Sequence, residues 1–216
     1  MKYLIAGTLN LDVTLFVNKL PEPGGETRVS KIKKALGGKG GNVASAFAKI
    51  TGEASFLGSL GNDEAAQMHL DYFRSINVDT RFIKIYHGAS SGTSYVIVEE
   101  GTGENMVLSY LGANAMLAPE ILDEEILKEL KEAKVVIAAN VKPELAKAIF
   151  EASKGLSVYV PASYVKSSCE AKPKYLIVNE IESQSLEGCS GARIIRTLGS
   201  RGAEIFGTGI RVEAVN

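Results

Sequence analysis

A cluster of glycines near the amino terminus constrains the fold of this chain more than any other feature. Residues 37 to 42 read Gly-Gly-Lys-Gly-Gly-Asn and run directly into an alanine-rich helical pattern at residues 43–48. Consecutive glycines let the backbone approach a ligand closely, and the start of a helix adds a positive dipole end that suits anions or polar hydroxyls. Glycine clusters also form flexible loops that bind nothing, so both interpretations stay open on this pattern alone.

The composition is globular and the charge is almost balanced. With 24 basic and 25 acidic residues, the chain has a formal net charge of −1 and lacks the electrostatic signature of nucleic-acid or acidic-membrane binding. We expect no leader before the first predicted strand and no membrane span. Cys169 and Cys189 have no metal-ligand spacing. We therefore predict a cytoplasmic protein with free thiols and with neither nucleic-acid nor membrane partners.

Short apolar runs alternate with helical patterns along most of the chain. Residues 3–7 and 54–58 predict buried strands, while residues 42–50 and the segment capped by Asn62 or Asp63 predict helices. Beyond Pro119 the alternation resumes, with helices predicted at 123–133 and 142–153 and strands at 135–139, 156–160, 175–178 and 193–197. This order predicts the α/β class, a doubly wound sheet flanked by helices.

Two segments interrupt the alternation. Strand-like runs at 11–17 and 27–33 flank a turn at residues 20–25, and three more runs, at 81–86, 93–99 and 105–110, follow one another without a helix. Consecutive strands predict antiparallel hairpins. We expect segments 11–35 and 81–112 to form a small β-sheet lid, inserted in one α/β domain over residues 1–216.

Six motifs occur in an order that is found in one protein family. They are Gly7-Thr8-Leu9-Asn10-Leu11-Asp12, Leu20-Pro21 with Gly25-Glu26, the glycine cluster, Gly58-Ser59-Leu60-Gly61-Asn62-Asp63 with Val78-Asp79, Asn179-Glu180-Ile181-Glu182, and Thr197-Leu198-Gly199-Ser200-Arg201-Gly202. With these motifs the chain resembles the ribokinase-like (PfkB-type) sugar and nucleoside kinases along essentially its whole length. The resemblance implies a ribokinase-like fold and ATP-dependent phosphorylation of a hydroxyl on a sugar or nucleoside.

The resemblance implies a substrate site built from several segments. A carboxylate at Asp12 would accept hydrogen bonds from sugar hydroxyls, and Asn42 with the glycine-loop amides would donate them. The predicted substrate-binding residues are Asn10, Asp12, Gly37, Gly38, Lys39, Asn42 and Asn140. Taken without the family, Asp12 is also explained as a turn cap and Lys39 as a solvated side chain.

The resemblance also implies a nucleotide site at the ends of two later strands. Glu182 would orient hydrated Mg²⁺ and Asn179 would contact phosphate or its water shell, since Mg²⁺ keeps several waters. Thr197 offers a hydroxyl, and Gly199 and Gly202 permit close backbone approach. The predicted cofactors are therefore ATP and Mg²⁺, with Glu182 as the metal contact. A helix N-terminus and a ligand-free turn would explain the same residues without the family match.

The chain departs from the family pattern after its last strand-like run. Residues 210–215 predict a strand, and a Gly-Ala-Gly-Asp turn should follow it, but no such turn occurs in this sequence. In the family its Asp is the general base and its amides stabilise the transferring phosphoryl group. The catalytic base is therefore unassigned, and a catalytically incomplete sugar- or nucleoside-binding protein is the alternative to a carbohydrate kinase. A Rossmann dinucleotide-binding protein is weaker, because residues 7–10 lack the Gly-x-Gly-x-x-Gly spacing.

Two predictions concern residues outside these motifs. An exposed small sheet has open edges and an apolar face that needs cover, so we expect a homodimer through the outer face of the lid. The apolar residues available to that face are Phe16, Val96, Val98 and Leu108. The histidines, His69 and His87, show no ligand spacing, and each is interpreted as structural or solvent-exposed.

Overall fold

The computed structural model describes residues 2–186 and 189–214, which fold into a large sheet, a small sheet and their helices. The strands are Tyr3–Gly7 (β1), Asn10–Val17 (β2), Val29–Gly37 (β3), Ala54–Gly61 (β4), Val78–Asp79 (β5), Ile83–Tyr86 (β6), Gly92–Glu99 (β7), Asn105–Tyr110 (β8), Val135–Ala139 (β9), Leu156–Val160 (β10), Tyr175–Asn179 (β11), Arg193–Thr197 (β12), Ala203–Ile205 (β13) and Arg211–Val212 (β14). The α-helices are Lys39–Thr51 (α1), Glu64–Ser75 (α2), Glu124–Glu132 (α3), Pro143–Ala152 (α4) and Glu180–Ser183 (α5). Short 3-10 helices occupy Gly112–Met116, Pro119–Ile121, Ala162–Ala171 and Gly199–Arg201.

The large sheet has the strand order β14-β13-β12-β11-β10-β9-β1-β4-β5, and β6 pairs with β4 beside β5. The pairs from β12 across to β5 and β6 are parallel, whereas β13 and β14 are antiparallel. The chain adds strands on one side of β1 first and on the other side later, so the winding reverses between β1 and β9. This confirms the doubly wound α/β fold, and such a reversal opens a ligand-binding crevice at the carboxyl ends of the strands.

Both faces of the large sheet are covered by helices. Successive side chains of a strand point to opposite faces. Leu4 and Ala6 accordingly join a core that α3 and α4 cover, whereas Ile5 joins a second core under α1 and α2. Of the two caps that the pattern left open for α2, the structure uses Asp63, whose Oδ1 accepts from the amide of Ala66 at 3.0 Å. The helix predicted from residue 123 is capped by Asp123, whose Oδ1 accepts from the amide of Ile126 at 2.9 Å.

The small sheet stands apart from the large one, with the order β3-β2-β7-β8. The hairpins β2–β3 and β7–β8 are antiparallel, and they join through a parallel pairing of β2 with β7. We call this sheet the lid. The prediction that residues 81–86 belong to it was wrong. β6 instead pairs with the second half of β4, from Gly58 opposite Ile83 to Gly61 opposite Tyr86, because β5 covers only the beginning of that fully buried strand.

The expectation of two free thiols was also wrong. Cys169 and Cys189 form a disulfide, with their Cα atoms 5.1 Å apart. The pairing follows from the topology, since β11 and β12 are adjacent and parallel and the segments that lead into them meet at one edge of the sheet. A sequence separation of 20 residues does not by itself indicate that the two cysteines are close in space.

In the described part of the chain, no helix is both long enough and apolar enough to cross a membrane. The strand predicted at residues 210–215 is shorter than expected, since β14 covers only Arg211–Val212. The last position of that prediction, residue 215, lies outside the described residues.

Candidate active site

The first helix begins inside the glycine cluster and rests directly on the end of β1. A β-carbon at Gly40 would lie 2.6 Å from the Cα of Gly7, so both positions need glycine for this contact. The amide of Gly41 donates to the carbonyl of Thr8 at 3.2 Å. The sequence pattern placed the helix start at residue 42, but the helix starts at Lys39 because two glycines are drawn into its first turn.

Backbone amides at the N-terminus of α1 are left without a hydrogen-bond acceptor in the described part of the chain. Gly38 precedes the helix with φ 86°, and no side chain caps the first turn. The amide of Asn42 donates to the carbonyl of Gly38, whereas no acceptor in residues 2–186 or 189–214 takes the amides of Lys39 and Gly40. Unsatisfied amides at a helix start form a binding site for anions and for polar oxygens.

Asp12 lies beside this helix start. Its carboxylate fills the space over Gly37, where any β-carbon would overlap it. Burial raises the pKa of Asp12, and a hydrogen bond with Ser94 on the neighbouring strand partly opposes that increase. The structure therefore brings together four of the predicted substrate residues, namely Asp12, Gly37, Gly38 and Lys39, with Asn42 exposed one helical turn further on.

Asn10 contributes to the site mainly by holding other groups. Its Nδ2 donates to Ser94 Oγ at 3.0 Å, and its Oδ1 accepts from Asn114 Nδ2 at 3.0 Å. Both polar ends of this predicted substrate residue are thus engaged within the protein.

Asn114 is a structural residue of the site that sequence reasoning missed. It lies in the 3-10 helix after the lid, with 6% of its surface exposed. Its Oδ1 accepts from the amide of Leu9 at 3.0 Å, and its Nδ2 donates to the carbonyl of Leu9 at 2.9 Å as well as to Asn10. One buried side chain thereby fixes the turn between β1 and β2. An asparagine in the Gly-Ala-Asn-Ala stretch after the last lid strand was the available signal.

His69, which the sequence pattern interpreted as structural or solvent-exposed, is a structural residue of the site. It is buried on α2, and its Nε2 lies 3.1 Å from the carbonyl oxygen of Asn10. Because a carbonyl only accepts, Nε2 carries the hydrogen, and the buried Nδ1 has no hydrogen-bond partner in the described part of the chain. Burial lowers the pKa of His69 despite the opposing effects of Asn10 and of the carboxylate of Asp63.

Asn140 lies immediately after β9, the strand that pairs with β1. It adopts φ 54°, its amide donates to the carbonyl of Val160 at 2.8 Å, and its Oδ1 accepts from the amide of Ser163 at 3.2 Å. A small cavity of about 60 Å³ separates it from Thr8. The hydroxyl of Thr8 is buried without a hydrogen-bond partner among the described residues, so this crevice offers a polar atom that a ligand hydroxyl could satisfy.

The predicted nucleotide residues gather at the ends of β11 and β12. Asn179 and Thr197 are direct register partners on these strands. Asn179 Oδ1 accepts from the amide of Glu182 at 2.7 Å, and Glu182 Oε2 accepts from the amide of Asn179 at 2.9 Å. This reciprocal capping box fixes the start of α5, and it occupies only one of the two oxygens of Glu182.

The two glycines of the turn after Thr197 differ in the space around them. Gly199 has φ 59° and open space on its side-chain side, which leaves room for a ligand. Gly202 has φ 90°, and a β-carbon there would overlap the carbonyl of Val212, so packing against β14 already requires glycine. Arg201 Nη2 lies 2.5 Å from Glu180 Oε2, and this ion pair joins the turn to α5.

The donor set suits a hydrated Mg²⁺ better than a metal enclosed by protein. No group of three or more potential ligands among His, Cys, Asp and Glu occurs in the described part of the chain. Glu182 supplies one carboxylate oxygen beside an exposed edge of the sheet. Mg²⁺ in nucleotide sites takes one or two carboxylates and completes its shell with water and phosphate oxygens.

Comparison with known proteins identifies the family. The model of the pfkB family of carbohydrate kinases matches residues 2–188, so the chain belongs to this family. An ATP-dependent ribose-1-phosphate kinase from Halopiger xanaduensis is 32% identical over 149 residues, which cover 69% of this chain and 49% of that protein. A ribokinase from Staphylococcus aureus is 33% identical over 120 residues, or 55% of this chain and 39% of that relative. The chain thus matches about half, or less, of the length of these relatives.

The fold is shared with solved ribokinases. The crystal structure of a ribokinase from Thermotoga maritima superposes with a TM-score of 0.84 at 21% identity, covering 99% of this chain and 77% of that one. At this identity the similarity establishes the fold.

The buried histidine generates a prediction on pH dependence. In the His69→Gln variant, an amide N–H can still donate to the carbonyl of Asn10 while the titrating ring is lost. Because the pKa of His69 is lower in the folded than in the unfolded chain, only the unfolded chain takes up a proton as the pH falls through the ordinary value of 6.5. We expect the wild-type free energy of unfolding to decrease more than that of the variant between about pH 7 and about pH 5.

Urea denaturation at a series of pH values measures this difference. The His87→Gln variant, at the exposed histidine, provides the matched control. Equal pH dependence in wild type and His69→Gln would contradict the assignment of a neutral, buried imidazole.

Proposed function

We propose that this protein is an ATP-dependent phosphotransferase that phosphorylates a hydroxyl of a sugar or nucleoside. The observation that carries the proposal is the convergence of a half-buried carboxylate, Asp12, with the unsatisfied amides at the start of α1. A carboxylate accepts hydrogen bonds from sugar hydroxyls, and the free amides donate to sugar or phosphoryl oxygens. Both groups border the crevice where the winding of the sheet reverses, and membership of the carbohydrate kinase family supports the same reaction.

The substrate side of the proposed site has distinct roles. Asp12 and Asn42 contact hydroxyls, and Lys39 approaches the transferring phosphoryl group. Gly37 and Gly38 bring their backbone close to the ligand, while the space at their side-chain positions is taken by Asp12 and by the turn at residues 8–10. Asn10 holds the first turn in place through Ser94 and Asn114. Asn140 completes the site from β9 together with the unsatisfied hydroxyl of Thr8.

The proposed ATP site lies at the adjoining strand ends. Asn179, Thr197 and Gly199 face the same edge of the sheet as the substrate residues, and Gly202 shapes the turn through its packing on β14. Glu182 carries the proposed Mg²⁺ contact through its carboxylate, oriented by Asn179. When bound, Mg²⁺ would neutralise charge on the phosphates of ATP. A cytoplasmic location stays a prediction, as does the absence of nucleic-acid and membrane partners.

We also propose that the lid forms a homodimer through its outer face, although only one of the four predicted residues, Leu108, lies there. Phe16, Val96 and Val98 lie on the same face of the lid as Asp12, as the strand register shows. Leu108 lies on the opposite face, where exposed apolar side chains cluster. These are Ile32, Tyr95, Met106, Leu108 and Tyr110, each between 44% and 59% exposed. An apolar sheet face of this kind is stabilised by pairing with a second copy.

Removal of the Asp12 charge tests the substrate site. We expect Asp12→Asn to weaken binding of a sugar or nucleoside by at least about tenfold, because hydrogen bonds to a charged acceptor are the stronger ones. Calorimetric titration of the 216-residue chain with ribose, deoxyribose, fructose and a nucleoside measures this. Asp71→Asn, at an exposed aspartate of α2, is the control. Unchanged affinity in Asp12→Asn would refute the assignment.

The Mg²⁺ assignment is tested by Glu182→Gln. A glutamine preserves the capping box that begins α5, so stability should stay the same while the negative charge is lost. We expect the variant to need about tenfold more Mg²⁺ for ATP binding or for ADP formation. Magnesium titrations that coincide for the two proteins would show that Glu182 serves only as a helix cap.

If the dimer forms through this apolar face, a charged side chain placed on the face should make the protein monomeric. Leu108→Glu places a carboxylate in the middle of the exposed lid face, whereas Ile50→Glu alters an 84% exposed residue of α1 far from it. Sedimentation should show dimers for the wild type and for Ile50→Glu, and monomers for Leu108→Glu. A wild-type protein that is monomeric at high micromolar concentration would contradict the proposal.

A further inference from the structure

Two lysines of the lid share a face with the substrate carboxylate. In the β2–β3 hairpin, Asp12 is opposite Ala35, Thr14 is opposite Lys33, and Phe16 is opposite Lys31. Opposed residues lie on one face of a sheet, and every second residue of a strand returns to that face. Lys31 and Lys33 therefore project from the side of the lid that carries Asp12.

The aromatic contacts confirm this placement. The ammonium nitrogens of Lys31 and Lys33 lie 5.9 and 5.4 Å from the centre of the Phe16 ring. A ring face attracts cations and holds both side chains near one place. It does not neutralise their charge.

No carboxylate in residues 2–186 and 189–214 forms an ion pair with either lysine. Two positive charges on neighbouring positions of one strand face repel each other, and the pairing is unfavourable unless an anion joins them. The chain as a whole is nearly neutral, so the positive charge is a local property of this face.

The distance from Asp12 is suited to a single small ligand. Lys33 is two residues from Ala35, the partner of Asp12, which corresponds to about 7 Å along the strand. One sugar ring with a charged substituent bridges such a distance when a lysine side chain reaches towards it. The proposed dimer face lies on the other side of the lid, so dimer formation leaves this face open.

We propose that Lys31 and Lys33 form an anion subsite of the sugar site, which selects a sugar that carries a phosphate ester or a carboxylate. The subsite rests on the proposed function, since it presupposes that Asp12 binds sugar hydroxyls. The ammonium groups bind the anionic substituent, Asp12 binds the hydroxyl end, and the apolar ring of Phe16 covers the space beside the substituent.

The chain offers a matched control for this subsite. Lys34 follows the two lysines on β3, is also exposed, and lies on the opposite face of the lid, where it is paired with Val13 of β2. The experiment compares the wild type, the double variant Lys31→Gln with Lys33→Gln, the charge-preserving Lys33→Arg, and Lys34→Gln. Calorimetric titrations at low ionic strength use ribose, ribose 1-phosphate, gluconate and inorganic phosphate as probes.

We expect the wild type to bind ribose 1-phosphate or gluconate about tenfold more tightly than ribose, and the double variant to lose that preference while still binding ribose. The anion that is preferred identifies the substituent. Lys33→Arg and Lys34→Gln should retain the preference. Far-ultraviolet circular dichroism and urea denaturation check that all variants fold.

Several results would overturn the subsite. One is equal affinity of the wild type for neutral and anionic sugars. Another is that Lys34→Gln loses the preference for anionic sugars as fully as the double variant does. The third is that inorganic phosphate binds as tightly as the sugar phosphate, which would show an anion site independent of the sugar. In the first two cases ribose still binds, so the proposed function stands. If none of the sugars binds, the proposed function fails together with the subsite.

Discussion

The close contact between the end of β1 and the start of α1 determines where the site can form. Gly7 and Gly40 approach so closely that neither position has room for a side chain, and the amide of Gly41 bonds to Thr8. This contact places the helix N-terminus directly over the carboxyl end of the central strand. It also aligns the free amides of the helix with the turn that leads to Asp12. A β-carbon at either glycine would push the helix away from the strand and would separate the donors from the carboxylate.

The lid depends on the same region through buried hydrogen bonds. Asn114 satisfies both the amide and the carbonyl of Leu9 and also holds Asn10, while His69 donates to the carbonyl of Asn10 from the other side. Buried polar groups are costly unless they are paired, so these bonds favour one arrangement of the first turn of the lid. A ligand that bound Asp12 would therefore contact a carboxylate whose backbone is already fixed.

Local patterns predicted most of the fold, because periodicity and capping depend on neighbouring residues. The central strands at residues 3–7 and 135–139 and the caps at Asp63 and Asp123 are cases of this kind. The errors concern contacts between distant residues. Which sheet β6 joins depends on how far β4 extends, and the Cys169–Cys189 pair depends on strand order. Asn114 was missed as a supporting residue for the same reason, and the partner of the structural His69 was not predicted, since the two partners are 105 and 59 residues away.

The two faces of the lid differ in chemical character because side chains alternate along each strand. Strand alternation gives one face Asp12, Phe16 and the two lysines, and gives the other the exposed apolar side chains around Leu108. A shift of the register by one residue would exchange the faces, so that apolar side chains would meet the polar crevice. The β2–β3 pairing is held by eight register pairs, and its irregularity lies between Phe16 and Val17, beyond the residues that face the site. The register is therefore regular along the residues that carry the charges of this face, Asp12 and the two lysines.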